Sequence, residues 1–242
     1  MLAKIFQKRG CLSMSLFTIA DLHLSLDSDK PMDIFRGWQD YLSRLEKNWK
    51  AIVEPTDTVV IPGDVSWAMK LKDTVADFTF LNDLPGEKIL LKGNHDLWWE
   101  TMKKMNGFLA DNGFDRIHLL FNNAYDVGSY ALCGSRGWFF EEDGNDQKVL
   151  LREVGRLRMS LEEGKKIGKE PIVFLHYPPI YHDCECKEIL QVLKEYGVRR
   201  CYYGHLHGPS IPAAINGTVE GITYRLVSGD ALEFCPHLIE KF

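Results

Sequence analysis

A chain of 242 residues, 45% hydrophobic and 26% charged, is long enough to close one large core, and single α/β domains of this size are ordinary. Its net charge of -5 excludes a general nucleic-acid binder, since no basic excess exists to neutralise phosphates; only a local patch around Arg199 and Arg200 runs the other way. No apolar run approaches about 20 residues, so neither a transmembrane helix nor membrane insertion is expected.

At the N-terminus, Lys4, Lys8 and Arg9 precede an apolar stretch from Cys11 to Ala20 that mimics a short secretory signal. That stretch runs directly into Asp21 and His23, so cleavage would remove a strand. The chain is therefore read as cytoplasmic. Met14 offers an alternative start, with residues 1–13 as a flexible N-terminal extension and 14–242 as a single domain.

Short β-rich runs follow at 16–20, 58–62, 88–91, 130–133, 172–175, 200–203 and 224–227, mostly bounded by Gly, Asp or His. Continuous apolar runs of this length suit strands buried on both faces. Helical patterns lie between them. Residues 38–52 place Trp38, Tyr41, Leu42, Leu45, Trp49 and Ile52 on one face, and 74–81 and 101–112 behave similarly. Residues 149–167 carry Leu150, Val154, Leu157 and Leu161 along one side, and 186–196 repeat the pattern through Ile189, Leu190 and Leu193. Residues 122–126 with 128–133, and 218–222 with 224–227, resemble neighbouring strands. The alternation predicts an α/β fold with helices covering a mixed sheet. Six cysteines at 11, 133, 184, 186, 201 and 235 lack disulfide-framework spacing and are read as thiols.

Five polar clusters end apolar runs: Asp21-Leu22-His23, Gly63-Asp64, Gly93-Asn94-His95-Asp96, His176, and Gly204-His205-Leu206-His207. In an open α/β sheet, ligands collect beyond the carboxyl ends of the strands. Alternation along an extended chain sends Asp21 and His23 to one side, and likewise His205 and His207. Asp64, with two carboxylate oxygens, is a natural bridge between cations. Asn94 can offer its carbonyl oxygen to a metal and its amide to a phosphate. Each cluster alone has a plain structural reading as turn chemistry or a solvated strand end. Together they supply what is needed to hold two divalent cations about 3.5–4 Å apart and cleave a phosphate ester between them. His95 and Asp96 are left over as an acid–base pair. Arg136, in Gly134-Ser135-Arg136-Gly137-Trp138, is a candidate phosphate clamp. Trp67, Trp98, Trp99 and Trp138 lie near these loops, and one could stack on a base; His182 and Asp183 belong to the rim.

In this order, Asp-x-His, Gly-Asp, Gly-Asn-His-Asp, a single His and Gly-His-x-His resemble the calcineurin-like metallophosphoesterase superfamily, from Asp21 to His207. The resemblance implies a four-layer α-β-β-α sandwich with two mixed central sheets. It implies a first metal held by Asp21, His23, Asp64 and His207, and a second by Asp64, Asn94, His176 and His205. Mixed nitrogen and oxygen donors suit manganese, iron or zinc. A water bridging the two ions would be the nucleophile, and His95 would protonate the leaving oxygen with Asp96 orienting its ring.

Gly63-Asp64-Val65-Ser66-Trp67 and His95-Asp96 lack the signatures of the protein Ser/Thr phosphatases. Residues 19–24 match the opening of the lipid A precursor pyrophosphatases, which carry arginine where this chain has His95. His176-Tyr177-Pro178-Pro179 is similar to the His-His-Pro-Pro of small cyclic-nucleotide phosphodiesterases. The expected substrate is a small phosphomonoester or phosphodiester. A nucleotide-linked lipid and a non-catalytic metal-binding scaffold stand as alternatives, and the oligomeric state is open.

Overall fold

Along each apolar run, successive side chains fall alternately into different cores, which is why the runs are apolar throughout. In the computed structural model, which describes residues 14–138 and 146–242, Val59 and Ile61 join one cluster while Val60 between them joins another. Ile172 and Phe174 likewise face away from Val173 and Leu175.

The first half runs β1 (Ser15–Thr18), α1 (Tyr41–Ile52), β2 (Thr58–Ile61), a 3-10 turn at Leu71–Thr74, α2 (Val75–Asp83), β3 (Glu87–Leu90), α3 (Met102–Asp111) and β4 (Ile117–Leu119). The second half adds β5 (Tyr125–Val127), β6 (Tyr130–Ser135), α4 (Asp146–Ile167), β7 (Glu170–Leu175) and a small hairpin, β8 (Ile180–Tyr181) with β9 (Cys184–Glu185). It closes with α5 (Lys187–Glu195), β10 (Arg200–Tyr203), a 3-10 turn at Gly208–Ala213, β11 (Gly217–Val219), β12 (Ile222–Leu226) and β13 (His237–Lys241).

One sheet has the order β13-β1-β2-β3-β4, parallel except for β13; the other has β11-β12-β10-β7-β6-β5, with antiparallel edges around a parallel centre. Leu16, Val60 and Ile89 of the first sheet, with Leu91 just past β3, pack against Leu132, Ile172, Phe174 and Tyr202 of the second. The outer face of the first sheet is covered by α1, α2 and α3 through Leu45, Trp49, Phe78, Leu81 and Met105, and that of the second by α4 and α5 through Leu157, Leu161, Ile189 and Leu193. The four layers with two mixed sheets are those the family resemblance implies.

The helices begin and end within a few residues of the expected bounds. Trp38 is the clearest exception. It precedes α1 in a turn, because Asp40 takes a left-handed conformation (φ 51°) at the helix start. Strands β4 and β13 and the β8–β9 hairpin went unanticipated. Cys133, Cys184, Cys186, Cys201 and Cys235 are free thiols. The extension expected at 1–13 lies outside the described residues, and among those described no helix is long and apolar enough to cross a membrane.

Candidate metal centre

All five polar clusters lie directly beyond the carboxyl ends of β1, β2, β3, β7 and β10. They converge by a different local geometry from the one expected. Asp21 (φ 58°), His23 (φ 44°), Asp64 (φ 51°) and His205 (φ 73°) all occupy the left-handed region rather than an extended chain. Such a residue costs about 1–3 kcal/mol and persists only where its surroundings over-determine it. Here they do. Asp21 N donates to Gly63 O (3.0 Å), His23 N to Asp64 O (2.9 Å) and Leu24 N to Val65 O (3.0 Å), so the two loops continue the β1–β2 pairing past the strand ends. His205 N donates to both carboxylate oxygens of Asp21 (3.1 and 2.9 Å), tying a loop of the second sheet to a loop of the first.

Two motif glycines are required by close approach. A Cβ at Gly93 would stand 2.1 Å from Asp64 Oδ1 and 2.3 Å from Asp64 N, and one at Gly63 would stand 2.7 Å from both Gly93 Cα and His176 Nδ1. No side chain fits between these loops.

Two donor groups result, with Asp21 common to both. Asp21, His23 and His207 form one, and Asp21, Asp64 and His176 the other; within each, the donor atoms lie within 4.8 Å of one another. Asp64 Oδ2 stands between them, 3.8 Å from His23 Nε2 and 3.5 Å from His176 Nε2. Asn94 Oδ1 is 2.6 Å from His176 Nε2 and 3.1 Å from His205 Nδ1. The two imidazoles of the Gly-His-x-His stretch therefore part company, His205 toward Asn94 and His207 toward His23, whose Nε2 is 3.3 Å from its own.

Ring tautomers follow from the partners. His176 Nδ1 donates to Pro62 O (3.1 Å), which leaves a lone pair at Nε2 aimed at Asn94 Oδ1 and Asp64 Oδ2. His207 Nδ1 donates to Asp230 Oδ1 (2.9 Å), turning its Nε2 toward Asp21. Acceptors facing acceptors in a buried site is an arrangement that a cation satisfies. The donor set is nitrogen and oxygen throughout, a mixture that can hold a divalent first-row metal.

Electrostatics point the same way. Burial opposes ionisation of Asp21, but His207, His176 and His23 outweigh it and hold the carboxyl well below the usual range. Burial and the neighbouring Asp21 push Asp64 up to about 8. Burial also works against a charge on His207, yet Asp21 and Asp230 lift its imidazole to about 10. Burial, reinforced by His176, drives His205 down to about 3. The metal-free cluster thus holds protons where divalent cations would replace them.

His95 lies at the floor of an adjoining cleft of about 740 Å³, beside His23 and His207. Its ring centroid is 4.4 Å from that of Trp67 and 5.7 Å from that of His23. Asp96 does not orient it. Asp96 Oδ1 accepts from Val65 N (2.9 Å), Ser66 N (3.2 Å) and Trp98 Nε1 (3.0 Å), and Oδ2 accepts from Gly93 N (2.7 Å). A fully buried carboxylate with four donors is a staple between the Asp64 and Asn94 loops, which corrects the acid–base pairing read from adjacency.

Arg136 is likewise turned to another task. Its guanidinium lies 3.5 Å from Glu153 of α4 and over the Tyr177 ring, near Lys92 and Arg156 and apart from the cleft beside His95. Its carbonyl accepts from His176 N and Tyr177 N, so it positions the β7 loop through the backbone. Of the four tryptophans singled out, only Trp67 lines the cleft; Trp98 and Trp138 are core, and Trp99 packs against the core from partial exposure. His182 and Asp183 are exposed in the β8–β9 turn. Asp230 was missed, although Gly229-Asp230 beyond β12 repeats the Gly63-Asp64 pattern beyond β2.

Comparison with known proteins agrees with this geometry. The profile of the calcineurin-like phosphoesterase family matches residues 14–209. No curated protein sequence matches at a significant level. Among solved structures, a phosphopantetheinyl hydrolase from Mycobacterium tuberculosis aligns with a TM-score of 0.56 at 14% identity, covering 94% of this chain and 96% of that chain. A protein of unknown function from Aquifex aeolicus aligns at 0.53 with 16% identity over 93% and 95%. A Thermus thermophilus protein aligns at 0.50 with 13% identity over 79% and 81%. At these identities the likeness is one of fold. With the family profile covering most of the chain, and the motif residues gathered at the strand ends of a four-layer sandwich, the chain belongs to the calcineurin-like phosphoesterase family.

Proposed function

We propose that this protein is a metal-dependent phosphohydrolase acting on a phosphomonoester or phosphodiester of a small molecule. The observation that carries this reading is the meeting of lone-pair donors from the loops after β1, β2, β3, β7 and β10, beside an open cleft that His23 and His207 line, where positive charge completes the arrangement. Asp21, His23, Asp64 and His207 would hold one cation, and Asp64, Asn94, His176 and His205 the other. When bound, two such ions supply Lewis acidity to phosphoryl oxygens and make water nucleophilic near neutral pH.

The chain's own residues do the rest. Asn94 orients a phosphoryl oxygen through its amide, and the Asp96 staple keeps the Asp64 and Asn94 loops in register. His95, with its ring at the cleft floor, donates a proton to the departing oxygen. The family profile and a structural relative described as a hydrolase support the phosphohydrolase class.

The test is metal analysis of the purified protein together with hydrolysis of p-nitrophenyl phosphate and bis(p-nitrophenyl) phosphate, with and without added Mn²⁺ and chelator. Chelator-sensitive release of nitrophenol is the expected result. A protein that binds two ions and hydrolyses neither ester would be a metal-binding scaffold instead.

A further inference from the structure

We infer, on the basis of the phosphohydrolase reading, that the group esterified to the phosphate is bulky and apolar, with at least one ring, and is not a sugar or polyol. The cleft opens from one side of the metal centre. Its floor is His23, His95 and His207, whereas Asn94, His176 and His205 take no part in lining it. A phosphoryl group seated over the centre therefore sends a substituent into the cleft from the His23–His207 side.

The walls set the chemistry of that substituent. Met32, Phe35, Trp38, Trp67, Pro209 and Ile211 make its lining predominantly apolar, with the exposed Arg36 beside Phe35. Among the described residues its charged side chains, histidines aside, are Arg36 and Asp230, and Asp230 already accepts from His207 Nδ1, Gly208 N and Ala231 N. A substituent rich in hydroxyls would surrender its bonds to water and find few replacements, which costs about 1–3 kcal/mol for each group left unpaired. A volume of about 740 Å³ exceeds what a bare phosphate or a methyl ester fills and lies in the range of pockets that take ring-bearing ligands.

The wall is also fixed in advance. The Trp67 indole stacks on His23 with ring centroids 4.9 Å apart, donates from Nε1 to Met32 Sδ (3.2 Å), and has the Lys30 ammonium 4.5 Å from its centroid. The Trp38 ring is edge-on to both His23 and His207. The aromatic wall and the metal-site imidazoles thus form one packed unit, and little conformational freedom remains to be lost when a ring docks. Phe35, 52% exposed, stands on this wall as apolar surface that such a substituent would cover.

Two esters of primary alcohols test this without changing the bond broken: 2-(1-naphthyl)ethyl phosphate and glycerol 1-phosphate, each assayed with the Mn²⁺-loaded full chain. The naphthyl ester should have a kcat/KM higher by at least about tenfold, carried mainly by KM, as expected for burying a ring against apolar walls. Phe35→Asp, at an exposed position where folding is safe, should bring the ratio toward unity. Binding of 1-naphthylmethylphosphonate against hydroxymethylphosphonate, followed by calorimetry, gives a readout independent of turnover and should show the same preference. Equal kcat/KM values or equal affinities would overturn the inference and leave the hydrolase reading standing. Preferential binding of the naphthyl ligand without hydrolysis of either ester would sustain the cleft's chemistry and overturn the hydrolase reading.

Discussion

Replacement of Asp230 by Asn tests whether a residue outside the expected motifs governs the metal centre. Asp230 Oδ1 accepts from His207 Nδ1 (2.9 Å) and Ala231 N (3.0 Å), while Oδ2 accepts from Gly208 N (2.9 Å). Every one of these partners is a donor. An amide at this position must therefore point its NH₂ at a donor whichever way it is turned. If it faces Gly208, one hydrogen bond is lost and the His207 loop loosens. If it faces His207, the ring must take the other tautomer, and a proton then occupies Nε2, where a lone pair should face Asp21 and His23. A hydrogen bond to a charged group contributes about 1.5–3 kcal/mol, which corresponds to about 10–100-fold in metal affinity, the usual effect of removing a carboxylate behind a ligating histidine. Competition with a chromogenic chelator would measure it. The expected result is weakened binding of one ion while the ion held by Asn94, His176 and His205 keeps its affinity. Unchanged affinity for both ions in D230N would refute the reasoning.

Four further outcomes follow from the geometry. Gly93→Ala must separate the Asp64 and Asn94 loops by roughly 1 Å to relieve its clashes, and a displacement of that size lowers turnover about 10²-fold, measurable with nitrophenyl esters. Asp96→Asn turns an amide donor toward N–H groups that all need acceptors, so the chain should lose about 1–3 kcal/mol in urea unfolding. Asp64, pushed up to about 8, and His207, lifted to about 10, bind protons at neutral pH in the metal-free protein; because cations bind the deprotonated forms, apparent metal affinity should rise between pH 7 and 10 and fall on acidification, with protons released on binding. His95→Ala should keep both metals and lose about 10²–10⁴-fold in rate on alkyl esters, with a smaller loss on nitrophenyl esters, whose leaving group needs little protonation.

The α/β character was legible in the sequence because strands buried on both faces leave unbroken apolar runs, and 58–62, 172–175 and 200–203 are such runs; the division into two sheets came only from the family resemblance. Strand β4 was not, because Ile117–Leu119 is three residues with a histidine at its centre. Strand β13 is a half-exposed edge whose pairing with β1 depends on a partner more than 200 residues away in sequence. The ligand-competent residues could be read because each ends a strand. Asp21 and His23 do meet, though not by alternation along an extended chain, since both turn left-handed, and His205, also left-handed, parts from His207 where alternation would have kept the two together. Asp96 was misread because neighbours in sequence need not touch, and its partners come from the Gly63-Asp64 loop, Gly93 and Trp98. The cleft wall from Met32 to Trp38 has no periodic pattern to mark it, and Asp230 was passed over because Gly-Asp after a strand also reads as turn chemistry.

The split origin of the site reaches beyond its chemistry. Asp21, Asp64 and Asn94 belong to loops of one sheet, and His176, His205 and His207 to loops of the other. On the proposed ligand sets, neither sheet alone would carry a complete set for either ion, so an unfolded or half-assembled chain would compete poorly for metal. Whatever free energy the ions contribute is then credited wholly to the docked sandwich and grows with the logarithm of free ion concentration. Metal supply would then act as a thermostat on the lifetime of the whole molecule: under starvation the two sheets would lose their common rivet and the chain would be exposed to proteolysis as one unit.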